Sequence, residues 1–193
     1  MSVNILFYDM IDFVLNNGLA KLGSKYGFDK ICCLSLIDAD NAIDFRKKLS
    51  KADGLTAARA NENFSREIFE SNKVNLVFGL ENAKEKDNLH YKKSGLDNVL
   101  CGLANKNRIS IGFSFYEVLH AKDKGRLIGR MIQNVKLCKK YNVNMVVASF
   151  AKDRYDLRLR NDLEAFGRLI GIDKFDNTKV FKLKENSDIK VIG

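Results

Sequence analysis

Apolar residues fall along this chain in short blocks bounded by turn residues, with helix-period patterns between them. The blocks predict strands at Ile5–Asp9, Lys30–Ile37, Gly54–Ala58, Leu76–Gly79, Ser110–Phe115, Asn144–Ser149 and Lys179–Lys182. Several are continuous rather than alternating, as in Ile31-Cys32-Cys33-Leu34-Ser35-Leu36-Ile37 and Met145-Val146-Val147-Ala148. A strand covered on both faces needs apolar side chains on both, which is the situation in parallel sheets.

The helical patterns are sharper. Leu96, Val99, Leu100, Leu103 and Ala104 recur at helical spacing, with Ser94 and Asp97 spaced as an N-terminal capping pair. Asn161 and Glu164 repeat that spacing ahead of Leu163, Phe166 and Ile170, and Gly171 makes a C-terminal stop. The longest helix is predicted from Lys124 to Tyr141. Leu127, Ile128, Met131, Ile132, Val135 and Cys138 form one arc of its wheel. Arg126, Arg130, Gln133, Lys136 and Lys140 form the opposite arc.

Strands alternating with helices mean an α/β fold. No linker, low-complexity stretch or repeat divides residues 1–193, which read as a single domain. An open doubly wound sheet and a closed barrel both fit the pattern, and the chain is short beside the roughly 250 residues typical of a full barrel. The longest irregular stretch, Asn82–Ser94 (NAKEKDNLHYKKS), is strongly polar and lies between a strand and a helix, where such folds place functional loops.

Composition narrows the class. Hydrophobic content of 46% with 30% charged residues is globular. No apolar run approaches the roughly 20 residues of a membrane span. Asp9 and Asp12 interrupt the N-terminal apolar stretch and Lys21 is the first basic residue, so no secretory signal is read there. Cys32, Cys33, Cys101 and Cys138 lack Cys-x-x-Cys spacing and read as small apolar residues of a reducing, cytoplasmic location. There is no proline, an absence without a functional reading.

Charge changes the picture more. Thirty-three basic against twenty-four acidic residues give +9, which favours a polyanionic partner, nucleic acid before membrane. Residues 122–168 hold twelve Lys/Arg and five Asp/Glu, a net of +7. Within them Lys152, Arg154, Arg158 and Arg160 cluster after the strand Asn144–Ser149 and just ahead of a helix. Arginine forks grip phosphate bidentately, and a helix N-terminus adds unpaired N–H groups. Tyr155, among them, could stack on a base or be a buried tyrosine with its hydroxyl satisfied. Lys84, Lys86, His90, Lys92 and Lys93, with Tyr91, form a second group that should lie at the same end of the sheet and continue a basic rim. Nothing in either group reads base edges, so shape and backbone recognition is expected.

A catalytic set does not assemble. His90 and His120 belong to no ligand pair. Asp9, Asp38 or Asp40, and Glu81 stand at strand ends and could hold Mg²⁺ weakly, which keeps a metal-dependent barrel phosphoesterase open as an alternative. There is no Gly-x-Ser-x-Gly, P-loop or Gly-x-Gly-x-x-Gly.

Two long segments carry a resemblance: SGLDNVLCGLANKNRISIGFSFYEVL (94–119) and GRLIGRMIQNVKLCKKYNVNMVVASFAKDRYDLRLRNDLEAFGRLIGI (125–172). Ser-Gly-Leu precedes an amphipathic helix, Ile-Gly-Phe-Ser-Phe lies on a strand, and Arg-x-x-Gln-Asn lies on the long helix. Lys-Tyr, Ala-Ser-x-Ala, a loop arginine and Leu-Ile-Gly-Ile follow in order. Upstream, FSREIFESNKVNLV (64–77) adds a matching segment, and residues 5–9 look like an opening strand. This collinear set resembles ribonuclease P protein component 3, the family shared by archaeal and eukaryotic nuclear ribonuclease P.

The resemblance implies a TIM-barrel-like (β/α) barrel similar to the polymerase-and-histidinol-phosphatase fold. It implies a non-catalytic subunit of the ribonucleoprotein endonuclease that removes the 5′ leader of precursor tRNA. Implied partners are the catalytic RNA, ribonuclease P protein component 2, other protein subunits and, indirectly, precursor tRNA. No membrane and no tightly held cofactor are implied, with Mg²⁺ expected for the holoenzyme's RNA. Arg66, Arg126, Arg130, Lys152 and Arg158 match the family's basic positions. With His90, Lys92, Lys93, Arg154 and Arg160 they are the candidate RNA- or partner-binding residues. The family's Arg-x-Pro is Arg158-Leu159-Arg160 here, so the rigid turn set by proline is absent. Lys93 stands where an acidic residue often precedes Ser-Gly, and Gly102 where lysine is common.

Overall fold

The structure is a computed structural model and describes residues 10–84, 87 and 92–181. Seven short strands run parallel: β1 (Ile11–Val14), β2 (Lys30–Cys33), β3 (Ser35–Ile37), β4 (Thr56–Arg59), β5 (Leu76–Phe78), β6 (Ser110–Ser114) and β7 (Met145–Ala148). β1 pairs with β2, and β3 through β7 pair in sequence order. The predicted strand Ile5–Asp9 lies outside the described residues.

The predicted strand Lys30–Ile37 divides at Leu34. There the Leu34 N–H donates to Val14 O and the Ser35 N–H to Leu55 O, both at 2.9 Å. One run of chain thus changes partner from β1 to β4 within two residues. At the other end of the sheet the Phe150 N–H donates to Phe13 O and the Leu15 N–H to Ala151 O, again at 2.9 Å. The ring closes, and the fold is a TIM-barrel-like α/β barrel.

Side chains complete the seam between β1 and β7. The Asp12 carboxylate accepts the Ser149 N–H at 2.8 Å and its hydroxyl at 2.5 Å. The Asn177 amide donates to Ile11 O and Val147 O, 2.8 Å each, and accepts from the Val147 N–H. These buried backbone groups lack a full ladder and need such partners. Burial pushes the Asp12 carboxyl up to about 6, against its Ser149 bonds.

Inside the barrel, Ile11, Phe13, Leu34, Ala57, Leu76, Phe78, Val146, Ala148 and Phe150 form one cluster. The intervening residues, among them Ala58, Val77, Ile111, Phe113 and Val147, join the layer under the helices. That double covering explains the continuous apolar runs. Gly112 makes room inside. A Cβ there would sit 2.8 Å from the Phe150 ring, which stacks on Phe78 at 4.8 Å.

Among the described residues the outer layer holds a 3-10 helix (Asn17–Tyr26) and six α-helices, and a short 3-10 helix (Leu80–Asn82) follows β5. The α-helices are α1 (Ala42–Lys51), α2 (Ser65–Glu70), α3 (Asn98–Lys106), α4 (Phe115–His120), α5 (Lys124–Lys140) and α6 (Arg160–Ile170). The α3 cap is Asp97, whose carboxylate accepts the Leu100 N–H at 2.8 Å, so Ser94 is not the capping residue. α6 starts at Arg160 with no side-chain cap, so Asn161 lies inside the helix and not at its cap. It ends at Gly171 with φ 97, as its spacing predicts.

Lys179–Phe181 is helical, not a strand. Asp176 starts that turn by accepting from the Thr178 N–H and hydroxyl, a local bond that competes with extended chain. Val180 then joins the interior cluster. No described helix is long and apolar enough to cross a membrane.

Candidate nucleic-acid interface

Because all strands are parallel, every loop that follows a strand opens at one end of the barrel. The loop after β7 is fixed by a carboxylate that carries no charge signature of its own. Asp156 is buried and accepts the N–H groups of Lys152 (3.2 Å) and Asp153 (3.1 Å) and the His120 Nε2 (2.9 Å). Burial opposes its charge, but the His120 bond and the two N–H bonds outweigh it and hold its pKa below the ordinary 3.8. Asp153 turns back to accept the Tyr155 N–H at 2.7 Å. From across the seam Asn16 donates to Lys152 O at 2.9 Å.

This scaffold distributes the cations unequally. Lys152 is exposed and lies over the Tyr116 ring at 4.7 Å. Arg154 is exposed, lies 4.7 Å over the Tyr155 ring and donates to the Tyr155 hydroxyl at 2.5 Å. Arg158 is half-buried over Phe115 and donates to Tyr155 O and Leu157 O at 2.7 Å each, so its charge also shapes the loop. Arg160 pairs with Glu164 along α6 at 2.9 Å.

The lost proline costs little geometry here. Leu159 has φ −62 and ψ 151, the conformation a residue before proline adopts. Arg160 is the first helical residue, where proline is tolerated because its N–H is not needed. Arginine keeps the backbone and adds a cation.

The second group is built differently. Three side chains of α5 hold the stretch after β5. Arg130 donates from Nη1 to Glu81 O (2.9 Å) and Ala83 O (2.6 Å), and from Nε to Asp87 (2.9 Å). Gln133 donates to Lys92 O at 2.8 Å, and Asn134 to Ser94 O at 3.0 Å. Arg130 is 1% exposed. Its expected place on the solvent arc of α5 is therefore corrected: the guanidinium points inward because backbone carbonyls there need donors. The Arg-x-x-Gln-Asn spacing puts all three on successive turns of one face. Gly95 completes the clamp at φ 73, where a Cβ would lie 2.2 Å from Leu80 O.

Lys92 is exposed and its ammonium reaches Gly129 of α5, while Lys93 is half-buried and its N–H donates to Asp87 at 2.8 Å. Lys84 is exposed and its N–H is bonded to Glu62. Lys86, His90 and Tyr91 lie outside the described residues. Arg66 is exposed on α2 in an ion pair with Glu70, and Arg126 is exposed near Asp123 in the first turn of α5. Between the two basic groups lies α4.

The mouth itself is occupied by an ion-pair network. Arg59 bonds Glu117 and lies 3.5 Å from Asp38, and Asn82 donates to Glu117 at 2.8 Å. Burial pushes Glu81 up to about 7, with Glu117 adding to the rise and Arg59 and Arg130 opposing it. Asp9 lies outside the described residues. Among the described residues no three His, Cys, Asp or Glu side chains gather to hold a metal. Charge counting alone missed Asp156, His120, Phe115 and Tyr116; only their contacts reveal a role in shaping the loop.

Comparison with known proteins places this geometry. Residues 32–185 match the family described as RNase P subunit p30. The chain belongs to that family. Ribonuclease P protein component 3 of Methanococcus maripaludis strain C7 is 27% identical over 157 residues, covering 78% of this chain and 64% of the relative. The component 3 protein of Thermococcus kodakarensis is 34% identical over 84 residues, covering 42% and 38%. The chain therefore spans less than two thirds of either relative's length. A chain in a cryo-EM structure of archaeal ribonuclease P with mature tRNA has the same fold. It matches with a TM-score of 0.67 and 19% identity, over 92% of this chain and 81% of that one. As a p30-family barrel, the chain devotes its Arg-x-x-Gln-Asn and Ser-Gly-Leu segments to holding the loop after β5. Its arginine-rich segment lies at the barrel mouth.

Proposed function

We propose that this chain is a protein subunit of ribonuclease P that assists the catalytic RNA in removing the 5′ leader of precursor tRNA. It would do so by binding RNA phosphates and a partner subunit, with ribonuclease P protein component 2 as the proposed partner beside other subunits. Precursor tRNA is then met indirectly. Mg²⁺ belongs to the holoenzyme's RNA, and the setting is cytoplasmic. The single observation that carries the reading is the preorganised basic loop: Lys152 and Arg154 are held outward by a buried carboxylate, in a chain of the p30 family. A loop ordered before binding loses less entropy on contact.

The test is precursor-tRNA cleavage by the cognate catalytic RNA at low Mg²⁺, with component 2 alone, this chain alone and both. The expected result is that only the pair restores 5′ cleavage, with a benefit that fades as salt rises. No effect in any combination defeats the reading. Phosphoesterase turnover by this chain alone would instead favour a barrel hydrolase.

A further inference from the structure

We infer that Tyr155 and Arg154 form a stacking platform for one unpaired RNA base, beside the phosphate contact of Lys152. This rests on the RNA-binding reading above and assigns it a ligand conformation. Tyr155 is 72% exposed. Its exposure does not come from a loose loop. Its N–H is bonded to Asp153, its carbonyl to Arg158, and Asp156 pins the segment from behind. The neighbouring aromatics behave otherwise: Phe115 and Tyr116 are half-buried beneath Arg158 and Lys152. Of Phe115, Tyr116 and Tyr155, only Tyr155 is exposed; the His120 ring is exposed too, but it packs on Tyr116 and is bonded to Asp156.

Its chemistry suits a base. The Arg154 guanidinium lies over one ring face and bonds the hydroxyl, which satisfies the polar tip and fixes the ring. Arg154 is the one described contact on the ring, and most of the residue's surface is open to solvent. An aromatic ring backed by a guanidinium is a sequence-tolerant stacking surface, because every base has a π-face. A base within a duplex has its faces already covered, so the platform selects unpaired nucleotides. Leu159, 51% exposed, makes a protein partner the rival occupant. Lys152, Arg154, Arg158 and Arg160, crowded into nine residues, favour the polyanion.

The experiment compares a short single-stranded RNA carrying 2-aminopurine with a duplex of equal phosphate number, using the full chain. Wild type should quench the fluorophore and bind the single strand more tightly than the duplex. Tyr155→Ala should abolish the quench and weaken single-strand binding about tenfold, the worth of one stacked base, while duplex affinity stays unchanged. Tyr155→Phe should keep both properties, and thermal unfolding confirms that both variants fold. If Tyr155→Ala binds both RNAs as wild type does, the platform is wrong, the RNA-binding reading stands and Tyr155 serves a protein. If wild type binds neither RNA at low salt, both readings fall.

Discussion

Two loops leave the same end of this barrel, the one after β5 rich in lysine and the one after β7 in lysine and arginine, and they are held in opposite ways. The stretch after β5 is held by an arginine that comes from another element. Arg130 reaches in from α5, is 1% exposed, and spends its donors on Glu81 O, Ala83 O and Asp87. The loop after β7 is held by a carboxylate of its own, Asp156, and this leaves Lys152 and Arg154 facing water. A buried cation organises carbonyls; a buried anion organises N–H groups. Both loops leave cations outside, Lys84 and Lys92 on the first and Lys152 and Arg154 on the second.

The largest effect should come from breaking the first clamp. Arg130→Ala takes its donors from the Glu81 and Ala83 carbonyls and leaves Asp87 with only the Lys93 N–H among its described hydrogen bonds, and each buried carbonyl left unsatisfied costs about 1–3 kcal/mol. Arg154→Ala should stay within about 0.5 kcal/mol of wild type, as exposed positions do. Urea unfolding of the two variants measures the contrast directly. Equal midpoints would abolish the distinction between the loops.

Of the buried carboxyls, Glu81 and Asp156 should also respond to pH with opposite signs. Glu81 is raised from 4.5 to about 7, chiefly by burial. A folded pKa above the unfolded one stabilises fully below the unfolded value, and that stability fades as pH rises through the folded value. Wild type should therefore lose about 3 kcal/mol between pH 4.5 and 8 through Glu81, at 1.36 kcal/mol per pH unit. Glu81→Gln should remove that loss. Asp156 is lowered, so its contribution is present above 3.8 and disappears as pH falls through the folded value. Asp156→Asn should flatten the acid limb only. Unfolding free energies from pH 2 to 8 decide the matter, and a Glu81→Gln curve parallel to wild type would show that the mouth is not dry.

The parallel α/β sheet was legible in the continuous apolar runs of β2, β3 and β7, because a strand covered on both faces cannot alternate; its closure into a barrel was implied only by the family resemblance. The seam was not legible. Asp12, Ser149 and Asn177 meet across the chain, and no local pattern marks a carboxylate or amide that replaces a missing ladder bond. Lys179–Phe181 misled because apolar residues entering the interior from a capped turn look like a short strand. The basic loop was legible as charge; Lys152 and Arg154 face water, while Arg158 bonds loop carbonyls and Arg160 pairs with Glu164 along α6. The role of Arg130 was not legible, since a helical wheel assigns an arginine to water and cannot see carbonyls in need of a donor. Tyr155 was undecided between burial and exposure because Asp153 and Asp156, which hold its backbone outward, look in sequence like ordinary surface acids.

The smallest effect is the most specific to RNA binding. Lys152 is exposed, and its only described side-chain contact is the Tyr116 ring, so its ammonium is available to a phosphate. Each phosphate neutralised releases condensed counterions, which makes affinity fall linearly with salt on logarithmic axes. Lys152→Ala should therefore reduce the slope for RNA binding by about one and weaken binding uniformly across sequences. Its unfolding free energy should change by less than about 0.5 kcal/mol. Arg158 sharpens the point, because it donates to Tyr155 O and Leu157 O. Arg158→Ala should lower stability by about 1 kcal/mol as well as affinity, since the loop loses two hydrogen bonds. Filter binding over a salt series with both variants separates presented from structural cations. An unchanged slope for Lys152→Ala would remove this loop from the phosphate contacts, whatever its net charge.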